Sequence, residues 1–295
     1  MTDPTPPTQS ALARPNGQIL AVYDWPMPVA APARALVLIV HGLGEHGLRY
    51  APVAQRLNAW GYAVRAYDHY GHGHSSGPRG ALPQTMRLVD DLAAVIDASR
   101  TAWPGLPLIL LAHSMGGLVA SSLVRREVRL VDALALSSPA LEVGFSRVQR
   151  ALIATLSRLT PNLRLGNGLE ARWISHDPAV VRAYQNDLYV HDRISARLAR
   201  FFADEGPAVI AAAPRWHVPT LLMWAGDDRL VAPRGSAAFA AAAPPAIVQA
   251  HCFTPLYHEL FNERDAQPVF ELLRAWMSPL PTATLQNRPS TDGAE

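Results

Sequence analysis

The most regular feature of the chain is the recurrence of short, unbroken apolar runs: ALVLIV (35–40), AVRAY (63–67), PLILLA (107–112), DALALSS (132–138), PTLLMWAG (219–226) and AIVQAHCF (246–253). Each is bounded by Gly, Pro or polar residues. Runs without polar alternation predict strands buried on both faces, as in a mainly parallel sheet covered by helices. Between them lie segments with helical spacing, among them APVAQRLNAWG, TMRLVDDLAAVIDASRTAW and QPVFELLRAWM. Strand alternating with helix predicts an α/β fold with right-handed crossovers. QILAVYDWPM, near the start, reads as an antiparallel edge strand.

The alternation stops between about residues 141 and 206. SRVQRALIATLSRLTPN and SARLARFFADEG are amphipathic, and no strand-like run separates them. This predicts an inserted helical cap on the carboxyl-end side of the sheet, where open α/β sheets bind ligands. The ends carry Pro, Thr and Ser and read as loose tails. The expected organisation is a tail over 1–16, a core over 17–140 and 207–279, a cap over 141–206, and a second tail over 280–295.

Composition narrows the function classes. With 295 residues, 49% of them hydrophobic and 17% charged, the chain can bury a large core and is not a disordered scaffold. Every basic residue is Arg, and the net charge of +2 gives no reason to expect a nucleic-acid partner. The single cysteine, Cys252, cannot form an intrachain disulfide. MTDPTPPTQS lacks the apolar stretch of a secretory signal, and no run reaches the roughly 18 apolar residues of a membrane span. The expectation is a cytoplasmic protein; its oligomeric state is open.

The candidate chemistry centres on LAHSMGGLVA (111–120). An apolar run enters Ser114 and a helix-prone run leaves it, which is the context of a nucleophile elbow. The first small residue of the usual Gly-x-Ser-x-Gly pattern is Ala112, one methyl larger; a strand-end residue tolerates this because it need not adopt positive φ. A serine nucleophile needs a base and an acid to orient it, here expected in the order Ser, Asp or Glu, His. LLMWAGDDRLVAP supplies Asp227 and Asp228 after a strand, and Asp228 is preferred because it sits farther into the loop. AIVQAHCFTPLYHELFNE supplies His251 within a strand pattern and His258 in the following loop, which is preferred. The developing oxyanion needs backbone donors. Met115 N–H, at the start of the helix, and Leu43 N–H, in the HGLGEH loop after an early strand, are the candidates. His69, His72 and His74 in DHYGHGHS suggest a metal less than they suggest a loop bonded to its own backbone, since no second ligand cluster follows. No metal or cofactor is expected.

The motifs HGLGEHGLRY (41–50), DHYGHGHS (68–75), HSMGG (113–117), GDDRL (226–230) and YHE (257–259), in this order, resemble the α/β-hydrolase superfamily, and more narrowly the monoacylglycerol lipase-like serine hydrolases, whose bacterial members are often labelled lysophospholipases. The resemblance implies an α/β-hydrolase fold with Ser114 as nucleophile, Asp228 as orienting acid, His258 as base, and Leu43 and Met115 as oxyanion donors. SRLTPNLRLGNG and ISHDPAVVRAYQNDLYV are similar to cap segments of such lipases. Ala112 departs from the family's usual Gly, and Leu188 stands where a proline commonly follows the aspartate. The implied activity is hydrolysis of a single-chain acyl ester such as a monoacylglycerol, with lysophospholipids or short-chain esters as alternatives and a catalytically silent binding module as a distant one. His113, Trp173, Phe201 and Phe202 are candidate substrate contacts, and the cap is a candidate for transient membrane-surface contact.

Overall fold

The computed structural model describes residues 6–27 and 32–280. Residues 281–295 of the expected C-terminal tail and the first five residues lie outside them.

The main sheet is built from β1 (Thr8–Ala13), β2 (Ile19–Trp25), β3 (Leu36–Val40), β4 (Ala63–Tyr67), β5 (Leu108–His113), β6 (Ala133–Ser137), β9 (Thr220–Ala225) and β10 (Val248–Phe253), in the order β1-β2-β4-β3-β5-β6-β9-β10. The strands from β4 to β10 in that order pair in parallel, and β2 joins β4 antiparallel. Every residue of β3, β4, β5 and β6 is buried. Their side chains alternate between two cores, as a period of two requires. Leu36, Leu38 and Val40 face one core, shared with helices α2 (Arg87–Ala102) and α3 (Met115–Arg125). Val37 and Ile39 face the other, shared with α1 (Ala51–Ala59) and α8 (Gln267–Met277). Helix α7 (Pro233–Ala242) covers the first face beside β9. This is a doubly covered, mostly parallel α/β sheet, the α/β-hydrolase architecture.

The N-terminal tail expected over 1–16 is corrected by β1. Thr8–Ala13 pairs antiparallel with β2, and β1, not β2, forms the edge. The hairpin turns at Asn16-Gly17, both at positive φ (65° and 70°), with Arg14 N–H donating to Gln18 O at 2.7 Å. Asn-Gly is the residue pair such a turn favours. The strand itself escaped the apolar pattern because most of its positions are exposed.

Between β6 and β9 the chain leaves the main sheet and runs through α4 (Arg147–Leu159), β7 (Arg164–Gly166), α5 (Pro178–Asn186), β8 (Arg193–Ser195) and α6 (Ala196–Ala212). Strands β7 and β8 form a separate antiparallel pair, three residues each and mostly exposed, too short to show in the sequence pattern. Helix α4 opens on a reciprocal Ser146–Gln149 capping box. Helix α6 is continuous across the boundary expected at residue 206, and its Leu198, Phe201, Phe202 and Val209 join the first core. Gly206 permits this seating: a methyl group there would lie 2.3 Å from the Leu141 carbonyl oxygen.

Candidate active site

Strand β5 ends at His113, and Ser114 forms the turn into α3 with φ 52° and ψ −118°, a strained conformation for a residue with a Cβ. The surroundings hold it there. Ser114 N–H donates to Ser137 O (3.0 Å), and its carbonyl accepts from Leu118 N–H (3.1 Å) and Ala140 N–H (2.9 Å). Gly116 lets α3 approach β3, since a methyl group on it would stand 2.2 Å from Val40 O and 2.4 Å from His41 O. Ala112 is fully buried in β5 and is not at positive φ, so its methyl group packs into the core.

The loop after β3 closes over the turn. A methyl group on Gly42 would lie 3.2 Å from Ser114 Cβ, so only glycine passes there comfortably. Gly42 N–H donates to Glu45 Oε1 (2.6 Å), which also accepts from Tyr50 OH (2.8 Å). Glu45 Oε2 accepts from Arg49, whose guanidinium also binds Glu259 through two bonds of 2.8 and 2.9 Å. Burial alone would raise the Glu45 carboxyl; the Arg49 charge overrides it and takes the group down to about 2. This buried network ties the β3 loop to the loop after β10. Neither Leu43 N–H nor Met115 N–H makes a hydrogen bond among the described residues. For Met115 this follows from its place in the first turn of a helix.

Asp228 and His258 come from the loops after β9 and β10. His258 Nδ1–H donates to Asp228 Oδ2 at 2.6 Å, and both side chains are almost fully buried. Asp228 Oδ1 accepts from Leu230 and Val231 N–H, both at 2.9 Å, which fixes the carboxylate. Burial would raise the Asp228 carboxyl; the neighbouring His258 and these hydrogen bonds lower it instead. Burial would depress the His258 imidazole; Asp228 reverses the effect and raises it above 6.5. Asp227 is half exposed and reaches only Arg229, at 3.4 Å. His251 lies exposed on edge strand β10.

Ser114, His258, His113 and Leu43 line one cavity of about 360 Å³, closed on the other side by residues 167–192. His113 Nδ1 lies 3.0 Å from Ser137 O, and its ring is 4.7 Å from that of His258. Burial and the neighbouring His258 hold it down to about 4, so it is neutral at neutral pH. Three of the expected substrate contacts, Trp173, Phe201 and Phe202, do not line this cavity, which corrects that expectation. Phe201 and Phe202 are buried in the core, because the apolar face of α6 turns toward α3. Trp173 packs against Tyr257 and Arg229 outside the cavity. Sequence reasoning passed over Tyr184, Asn167 and Asp187, which do line it. Helical spacing could have marked Tyr184 as lying on a face of α5, but not which wall that face covers. His69 and His72 are buried beside His41 in the loop anchored by Asp68, which accepts from Gly47 N–H, His74 N–H and Tyr23 OH. Among the described residues no group of three or more His, Cys, Asp or Glu side chains is placed to hold a metal ion.

Comparison with known proteins agrees with this architecture. Residues 31–265 match the family described as Serine aminopeptidase, S33. A monoacylglycerol lipase from Mycolicibacterium smegmatis is 34% identical over 264 residues, covering 88% of this chain and 94% of the relative. A phospholipase from Bacillus subtilis is 33% identical, covering 82% and 94%. The crystal structure of a monoacylglycerol lipase from Paleococcus ferrophilus superposes with a TM-score of 0.76 at 29% identity, covering 92% and 98%.

Proposed function

Because the chain belongs to the Serine aminopeptidase, S33 family, we propose that Ser114, His258 and Asp228 are the catalytic triad of a carboxylester hydrolase cleaving a single-chain acyl ester such as a monoacylglycerol. Ser114 Oγ attacks the ester carbonyl carbon while His258 takes its proton. Asp228 keeps the imidazole in the tautomer with Nδ1 protonated and stabilises the imidazolium that forms. Leu43 and Met115 N–H receive the oxyanion. His258 then protonates the alkoxide oxygen, the alcohol leaves, and water activated by the same base releases the acid.

The observation that carries this reading is the buried 2.6 Å contact between His258 and Asp228 at the cavity that Ser114 also lines. The left-handed backbone of Ser114 supports it, since strain of this kind is retained where a turn must present its side chain. The segment between β6 and α6 serves as the cap, contributing the wall that includes Asn167, Leu169 and Tyr184. The exposed Val148, Leu152 and Leu159 of α4 are the surface for transient contact with a lipid aggregate. No helix among the described residues is long and apolar enough to cross a membrane.

The test is hydrolysis of an ester series from acetyl to long acyl, with a monoacylglycerol included, by wild type and Ser114→Ala. The reading expects serine-dependent turnover highest on a medium- or long-chain monoacylglycerol. Turnover confined to acetyl esters would restrict the enzyme to small substrates, and unchanged turnover in Ser114→Ala would remove the mechanism.

A further inference from the structure

Apart from His258, which is paired with Asp228, the charged side chains that line the cavity are acidic. Glu45, Glu170, Asp187, Asp192 and Glu259 line it, and among the described residues no arginine does. Two of the lining histidines do not offset them: burial takes His113 and His191 each down to about 4, leaving both neutral. The cations that pair with the carboxylates stand outside the lining. Arg49, 11% exposed, is shared between Glu45 and Glu259, two carboxylates to one guanidinium. Arg172 and Arg193 pair with Glu170 and Asp192 among exposed side chains. Asp187 meets His46 at 2.8 Å. Three further arginines of the cap are held elsewhere. Arg150 donates to Phe145 O and Ala203 O, Arg197 to Leu82 O and Pro83 O, and Arg200 to Asp204.

A phosphate entering this cavity would meet acceptor-only carboxylates and find no guanidinium fork to receive it. An ammonium would meet the same carboxylates as partners, in a concave site where charges are screened less than in open water. We infer that the alcohol half of the substrate can carry an ammonium: the site hydrolyses acyl esters of amino alcohols as well as those of neutral polyols, and discriminates against phosphate-bearing ones. This rests on the Ser114 reading above and extends it to the leaving group. The acyl carbon–oxygen bond of the ester breaks as the bond to Ser114 Oγ forms, and the serine proton reaches the departing alkoxide through His258. Water then restores Ser114, so that ester and water give a carboxylic acid and the amino alcohol.

The test compares kcat/KM, below micelle-forming concentrations, for decanoylcholine, 1-decanoylglycerol and 1-decanoylglycerol 3-phosphate, with wild type and the Glu170→Gln/Asp192→Asn double variant. Both substituted side chains are exposed, and a thermal melt confirms the fold. The expected result is that the choline ester exceeds the phosphate ester by about tenfold or more in the wild type. The double variant should lower that ratio at least several-fold. Equal rates, preference for the phosphate ester, or a ratio the double variant leaves unmoved would overturn the inference. Failure on all three esters would instead overturn the Ser114 reading beneath it.

Discussion

The tightest geometric constraint near the proposed nucleophile is at Gly116, and Gly116→Ala tests it. The added methyl group would stand 2.2 Å from Val40 O and 2.4 Å from His41 O, both backbone atoms that cannot rotate away. An ordinary carbon–oxygen contact of about 3.3 Å requires the start of α3 or the end of β3 to move by roughly 1 Å. That movement separates Ser114 and Met115 N–H from Leu43 N–H. A 1 Å misplacement costs on the order of 10²-fold in rate. Overpacking of this kind costs about 1–3 kcal/mol of stability, which at about 2–4 °C per kcal/mol is a fall in Tm of roughly 2–12 °C. The assay is kcat/KM on a monoacylglycerol alongside thermal unfolding. Gly105→Ala is the control: nothing lies within 4 Å of its added methyl group, but its φ of +79° makes any side chain costly, by roughly 1–2 kcal/mol. Both variants lose stability, and only Gly116→Ala should lose turnover. Wild-type kcat/KM in a folded Gly116→Ala protein would refute the argument that this contact sets the geometry around Ser114.

Other expectations follow from the same geometry. The base must be neutral to accept a proton, and Asp228 raises His258, so kcat/KM should fall as pH drops through a value above 6.5. Asp228→Asn should cost on the order of 10⁴-fold in kcat and move that acidic limb to lower pH; a limb left in place would contradict the pairing. Glu45 titrates near 2 in the folded protein against an ordinary value of 4.5, so its contribution is fully present above 4.5 and is lost as pH falls toward 2. Chemical denaturation of Glu45→Gln across that range should show a shallower loss of stability on acidification than wild type. Ala112→Gly should leave turnover unchanged and cost roughly 1 kcal/mol in strand stability, and a rise in kcat would mean the methyl group had been distorting the turn.

The central strands were legible because burial on both faces writes itself as an unbroken apolar run, as in Leu36–Val40 and Leu108–His113. Strand β1 was not, since Thr8–Ala13 is mostly exposed and its signal was the Asn16-Gly17 turn, not its hydropathy. Order and loop position favoured Asp228 and His258 over Asp227 and His251; the fold brings the first two into contact and leaves Asp227 half exposed and His251 exposed. Phe201 and Phe202 were misplaced because an amphipathic helix shows that it has a buried face, not which neighbour it faces. Arg49 illustrates the remaining gap. Its partners Glu45 and Glu259 lie four and 210 positions away, and nothing local announces the second. The carboxylate lining was not legible either: Arg150 and Arg197 donate to backbone carbonyls, and Arg172, Arg193 and Arg200 pair with exposed acids, none of them lining the cavity.

The central claim is that Ser114 is an activated nucleophile. It is tested most directly by intact-protein mass spectrometry after exposure to a fluorophosphonate, with peptide mapping, for wild type, Ser114→Ala and His258→Ala. The account expects one adduct per wild-type chain, mapped to Ser114, none in Ser114→Ala, and labelling slowed by orders of magnitude in His258→Ala. A folded wild-type protein that takes no adduct, or one that Ser114→Ala still acquires at the same rate, would contradict it.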